Sequence, residues 1–210
     1  MNNRVKYPRT FHLTFSPGIT NDDKVIDDPN CFNNKEIVVT EKLDGECTTF
    51  YSDYIHARSI DGRHHSSRDW VKQFHGQIKH EILNGDRICG ENMYAQHSIP
   101  YTDLESYFYG FSYWCGELCL DYDNTLMIFN SLGIITPTLF YRGIYDEETL
   151  KELADILDTN KVEGFVVRTA ESFHIKDFSI NVAKWVRKGH VQTEEHWLLK
   201  PVIPNKLRGI

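Results

Sequence analysis

Lys42 sits in the string EKLDGE, residues 41–46, between the β-rich runs EIVVT and CTTFYS. A lysine on a tight turn between two strands can act as a nucleophile if its amine is neutral, which requires neighbouring cations or burial to depress the ammonium pKa. Asp44 is a hard oxygen donor and a hydrogen-bond acceptor, suited to orienting the lysine or a metal ion. Gly45 lets the turn close tightly against whatever binds there. Ordinary exposed turns use the same residue types, so the string gains weight only from the rest of the chain.

Further strings follow in a fixed order: ARS at 57–59, CGEN at 89–92, YFYGF at 107–111, EGFVVR at 163–168 and VAKWVR at 182–187. Taken with EKLDGE, this series resembles the ATP-dependent RNA ligases, within the superfamily of covalent nucleotidyltransferases that also holds DNA ligases and mRNA capping enzymes. The resemblance runs from about Lys35 to Lys188, and HLTFSPG at 12–18 and GHVQTEEHW at 189–197 go with it.

The resemblance implies an α+β nucleotidyltransferase (ligase adenylation domain) fold with antiparallel sheets flanked by helices. Lys42 would be the lysine that accepts AMP, with Glu41, Asp44 and Gly45 beside it. Glu91 would contact the ribose and Glu163 the metal. Each is a carboxylate on a strand or beside a glycine, able to accept from ribose hydroxyls or to hold a divalent ion. Phe108 is the candidate adenine stacker, because strand alternation puts it opposite Tyr107 and Tyr109. Arg58, Arg168, Lys184 and Arg187 would bring positive charge to the phosphates, and phosphoryl transfer depends mainly on positioning and charge neutralisation. Lys184 and Arg187 fall on opposite faces of VAKWVR by alternation, which favours Lys184 as the catalytic cation. RNA ligases with two lysines separated by one residue differ here, since Val186 holds the second place.

The implied reaction uses ATP and a divalent metal, Mg or Mn. Lysyl-AMP forms, AMP passes to an RNA 5′-phosphate, and a 3′-hydroxyl seals the strand. The implied partner is RNA with 5′-phosphate and 3′-hydroxyl ends, nicked or splinted, with an accessory protein as a further option. A DNA ligase, a GTP-dependent capping-type enzyme and a non-catalytic nucleotide- or RNA-binding module are the alternatives.

Composition agrees with a globular enzyme. The 210 residues are 40% hydrophobic and 13% aromatic, enough for one domain with a sizeable core, and the resemblance implies a single adenylyltransferase domain over 1–210 without an evident additional C-terminal domain. No run reaches the length of a membrane span, and MNNRVKYPRTF lacks the apolar core of a signal peptide, so the expected location is cytoplasmic. The five cysteines read as reduced thiols, and neither His64-His65 nor Cys115 with Cys119 completes a metal set. A net charge of −7 argues against a protein that coats nucleic acid. Locally, residues 22–28 carry four aspartates and one lysine, while the cations cluster near the C-terminus.

Strands are expected at 36–40, 47–52, 54–58, 87–92, 106–115, 163–169 and 180–187. Trp70, Val71, Phe74, Ile78 and Ile82 recur at helical spacing, with serine as N-cap and Asn84-Gly85 as the stop. Two further helices are expected near 123–132 and 147–157. Clustered strands of this kind suit α+β with antiparallel sheets better than a doubly wound fold.

Overall fold

Period-two alternation sorts the strand residues between two layers. In EIVVTEK, Ile37 and Val39 enter a core with Phe165, Val167, Ala183 and Trp185, whereas Lys42, with Thr40, faces a cavity on the other side. The computed structural model describes residues 4–60, 64–189 and 201–209. The GHVQTEEHW segment lies almost wholly outside them.

In chain order the elements are β1 (Phe11–His12), β2 (Glu36–Lys42), β3 (Glu46–Phe50), β4 (Ile55–Ala57), α1 (Asp69–Ile78), β5 (Asp86–Asn92) and β6 (Phe108–Cys115). They continue with β7 (Leu118–Cys119), α2 (Tyr122–Leu132), β8 (Leu139–Ile144), α3 (Glu147–Ile156), β9 (Gly164–Thr169), β10 (Phe173–His174) and β11 (Val182–Val186). One sheet has the order β1-β11-β9-β2-β8 and the other β10-β7-β6-β5-β3-β4. All neighbours are antiparallel except β1 and β11. The expected α+β class with antiparallel sheets therefore holds. Among the described residues no helix is long and apolar enough to cross a membrane.

The EKLDGE turn is where the chain passes from one sheet to the other, since Lys42 ends β2 and Glu46 begins β3. Gly45 is needed there for close approach: a Cβ would lie 2.5 Å from the Asn92 carbonyl oxygen and 2.8 Å from the Met93 sulfur. The outer face of the first sheet buries Phe165 and Trp185 with Leu150 of α3. The outer face of the second buries Phe50, Ile88, Phe108 and Tyr113 under Val71 and Ile78 of α1 and Phe129 of α2. Both apolar faces thus point outward, and the polar faces converge.

Helix α1 departs in detail from the periodicity. Ser67 is not its cap: His65 accepts from the Ser67 amide and opens a 3-10 turn, Ser66–Arg68, ahead of the α-helix. At the other end the helix tightens into a second 3-10 turn, Lys79–Glu81, and Gly85 takes φ of 94° as the chain turns into β5. Strand β8, absent from the expectations, is a mostly solvent-facing edge beside β2. An edge strand need not alternate apolar and polar residues, which removes the usual signal.

The loop between β5 and β6 is fastened by residues 201–208. Asn205 accepts from the Tyr101 amide at 2.9 Å and donates to the carbonyls of Met93 at 2.8 Å and Ala95 at 3.3 Å. Its own amide donates to the Tyr94 carbonyl at 2.8 Å. Because these bonds are buried, Asn205→Ala should cost about 1–3 kcal/mol of stability. Urea unfolding measures that loss, and faster amide exchange at Ser98 and Ile99 should accompany it.

Candidate active site

The two polar faces enclose a cavity of about 1080 Å³. Its lining includes Glu41, Lys42, Asp44, Gly45, Arg58, Glu91, Glu163 and Lys184, together with Arg168. These residues come from both sheets, and the strand pairings bring them together.

Lys42 donates to a carboxylate oxygen of Glu163, which is fully buried. Strand register sets the pair up: Lys42 lies opposite Gly164, and the Arg187 amide donates to the Glu163 carbonyl at 3.0 Å. Any side chain at 164 would collide with the Trp185 carbonyl on β11, so glycine is required where these strands close. Burial works to lower the Lys42 pKa, but the charges of Glu163 and Glu91 outweigh it and hold the ammonium above its ordinary value. The resting lysine is therefore charged. This corrects the expectation of a lysine depressed by cations, because its nearest charged neighbour is an anion.

The depressed amine is Lys184. Burial first, then the positive charge of Lys42, brings it down to about 8. Glu91 moves the other way: burial, with Glu163 and Asp44 adding to it, overrides the pull of Lys42 and raises its carboxyl to about 8. Glu41 is raised more mildly by burial, against a hydrogen bond from Thr138 at 2.9 Å. Asp44 is held by three donors, the Ser98 amide at 2.8 Å, the Ser98 hydroxyl at 2.6 Å and the Ile99 amide at 3.0 Å. Its carboxylate is thereby fixed by the same loop that Asn205 fastens.

Two expected site residues are placed elsewhere. Phe108 is fully buried on the helix side of its sheet, stacked on Phe50 with ring centroids 4.2 Å apart, and does not line the cavity. Phe111 does line it, in edge contact with Tyr7 at 5.2 Å. Alternation puts the two rings on opposite faces, with Phe108 and Gly110 toward the helices and Phe111 toward the cavity, and a bulge between β5 and β6 then adds Ser112 to the cavity side. Gly90 pairs with Gly110 and Cys89 with Ser112, which leaves Phe111 as the extra residue and turns Phe111 and Ser112 to the same side. Arg187 stands just behind the cavity wall and donates to the Ser98 hydroxyl at 3.1 Å. Arg168, by contrast, lines the cavity. One of its nitrogens bonds the Leu120 carbonyl at 2.7 Å, while Nη1 is buried with no hydrogen-bond partner.

Tyr7, Arg9 and Ser98 also line the cavity and were not singled out from the sequence. HLTFSPG was the only pointer to the N-terminal part of this wall. The five cysteines are free. Among the described residues no group of three or more His, Cys, Asp or Glu side chains could hold a metal ion by itself. Glu163 and Glu91 remain hard oxygen donors facing the same space, which fits an ion that completes its shell with phosphate and water.

The fold itself is that of solved nucleotide-dependent ligases. An archaeal ATP-dependent RNA ligase superposes with a TM-score of 0.56 at 17% identity, covering 86% of this chain and 48% of its own length. An RNA ligase of Naegleria gruberi bound to PPi gives 0.54 at 18% identity, covering 88% and 61%. A K170A mutant of the Naegleria gruberi RNA ligase, with ATP and Mn, gives 0.51 at 17%, covering 86% and 57%. The chain thus spans 48% to 61% of the length of these structures. No curated protein matches the sequence. The RNA ligase family matches residues 35–186, well over half of the chain, and the protein belongs to that family.

The Glu91 pKa fixes the sign of a pH effect. Its carboxyl ionises near 4.5 when unfolded and near 8 when folded, so between those values the folded state binds the extra proton. Stability on this account falls as pH rises from about 4.5 to about 8 and then levels off. Glu91→Gln is neutral throughout. It should match the wild type near pH 4.5 and be more stable above pH 8 by on the order of a few kcal/mol, read by thermal unfolding across the range.

Proposed function

We propose that residues 1–210 act as a single adenylyltransferase domain of an ATP-dependent RNA ligase that works through lysyl-AMP on Lys42. One observation carries this reading: the lysine of EKLDGE stands at the crossing of the two sheets, inside a cavity that also holds Asp44, Glu91, Glu163 and Lys184. In this reading Lys42 first loses its ammonium proton to solvent, and the neutral nitrogen then attacks the α-phosphate of ATP as pyrophosphate leaves. Lys184, with Arg58 and Arg168, offsets the phosphate charge. Asp44 holds the turn, and Glu91, as the neutral acid that burial favours, can donate to as well as accept from a ribose hydroxyl. A divalent ion, Mg or Mn, held by Glu163 with Glu91 in reach, would supply further positive charge to the phosphates. Phe111 and Tyr7, rather than Phe108, form the aromatic wall suited to adenine.

The AMP then passes to an RNA 5′-phosphate, and a 3′-hydroxyl held nearby by a nick or splint attacks that phosphate, expels AMP and seals the strand. Structures of the Naegleria gruberi RNA ligase with PPi in one case and with ATP and Mn in another support the nucleotide and metal assignments.

The aromatic assignment separates by mutation. Phe111→Ala should raise the KM for ATP by an amount corresponding to about 1–3 kcal/mol of lost stacking while leaving the fold stable. Phe108→Ala should instead cost about 3–5 kcal/mol of stability. Thermal unfolding and adenylation kinetics on both variants decide between them.

Intact-protein mass after incubation with ATP and Mg or Mn tests the reaction. The wild type should gain the mass of one AMP, and Lys42→Ala should not. A GTP arm and a comparison of nicked RNA with nicked DNA complete the test: adduct formation with GTP instead, or sealing of DNA alone, would replace the RNA ligase reading.

A further inference from the structure

Lys184 is approached from behind by the N-terminal segment that carries HLTFSPG. Residues 9–26 run along the edge of the first sheet, with β1 pairing parallel to β11 so that His12 lies opposite Lys184. The Leu13 amide donates to the Lys184 carbonyl at 2.8 Å, and the Val186 amide donates to the Ser16 hydroxyl at 2.9 Å. His12 is fully buried between these contacts and Lys24, with Nδ1 2.8 Å from the Ser16 hydroxyl.

The segment then returns and brings in Asp23, whose side chain is only 4% exposed. One carboxylate oxygen accepts from the Thr20 amide at 3.1 Å and the Thr20 hydroxyl at 2.9 Å. The other lies 3.3 Å from Arg9, 3.4 Å from His12 Nε2 and 3.9 Å from Lys184 Nζ. At 3.9 Å the contact with Lys184 is an ion pair and not a hydrogen bond, so it leaves the ammonium hydrogens for the cavity.

We propose that Asp23 is a positioning residue for Lys184: it keeps the lysine charged and aimed into the nucleotide cavity from outside the cavity wall. The physical need is plain. Lys184 is buried and faces a second cation, Lys42, and both effects favour the neutral amine. A neutral amine offsets no phosphate charge. Around the amine stand Lys42 from β2, Glu163 ahead of β9, and Asp23 and Arg9 from the N-terminal segment. Asp23 itself stays anionic at any working pH. Its burial opposes ionisation, but the Thr20 hydrogen bonds with the charges of Lys184 and His12 bring its carboxyl down to about 2.

The inference rests on the lysyl-AMP reading, and its test keeps the two separable. Asp23→Asn retains an oxygen for Thr20 and removes only the charge. Adenylation by this variant should be slower on the order of tenfold above pH 8, the size expected for one unit taken off the Lys184 pKa, and should recover as pH is lowered. In a Lys184→Ala background the same change should have no further effect, because its target is gone. Thr20→Val, which weakens the local turn and spares the charge, should adenylate like the wild type. A pH-independent loss, an equal loss with and without Lys184, or unfolding of both Asp23→Asn and Thr20→Val would make Asp23 a turn residue and overturn the proposal. Failure of the wild type to form any adduct would instead overturn the lysyl-AMP reading on which it rests.

Discussion

The ion pair between Lys42 and Glu163 joins residues 121 positions apart, and the rest of the site is arranged around it. Burying two opposite charges is costly, and their attraction alone does not make a fold stable. The stability must come from elsewhere. Here it comes from the outer faces of the sheets, where Phe165 and Trp185 stack at 5.4 Å and Phe50 and Phe108 at 4.2 Å. Those apolar layers fix the registers of β2, β9 and β11, and the registers hold the two charges together. Apolar packing outside thus maintains a polar interior between the sheets.

Within that interior the ionisable groups are driven apart. Lys42 is held charged, Lys184 is brought down to about 8, and Glu91 is raised to about 8. Groups separated in this way can take different roles at one pH. The resting arrangement is also self-occupied, since the ammonium of Lys42 is engaged by a carboxylate. Deprotonating Lys42 would remove a positive charge from beside Lys184, and this would make the second lysine easier to charge. The coupling therefore means that loss of the proton from one lysine strengthens the charge on the other.

Much of this was legible in the sequence because buried strands are rich in β-branched and aromatic residues. EIVVT, GFVVRT and VAKWV are runs of this kind, buried on both faces, and each strand lies within a few residues of its expected place. Family-like strings also named Lys42, Asp44, Arg58, Glu91, Glu163 and Lys184 in the cavity lining. What escaped depended on partners far along the chain. Nothing near Lys42 announces Glu163, so the sign of its pKa shift could not be read locally. Phe108 was preferred over Phe111 because alternation sets it opposite Tyr107 and Tyr109 without saying which face meets the cavity, and that is decided by α1 and α2 covering the Phe108 face. Strand β8 left no periodic signal because it lies at an exposed edge.

The least legible parts lie outside the span that matches the family, residues 35–186. Tyr7, Arg9 and Asp23 approach from before it, and Pro201, Val202, Ile203 and Asn205 from after it. None belongs to a strand with a repeating pattern, so periodicity is silent about them. Yet each acts on a residue inside the span: Asp23 on Lys184, Tyr7 on Phe111, and Asn205 on the loop that holds Asp44. The matched strands place the reacting groups to within a face and a register. The flanking segments touch those groups and the loop beside them, so the physical unit of the site is larger than the span that matches the family.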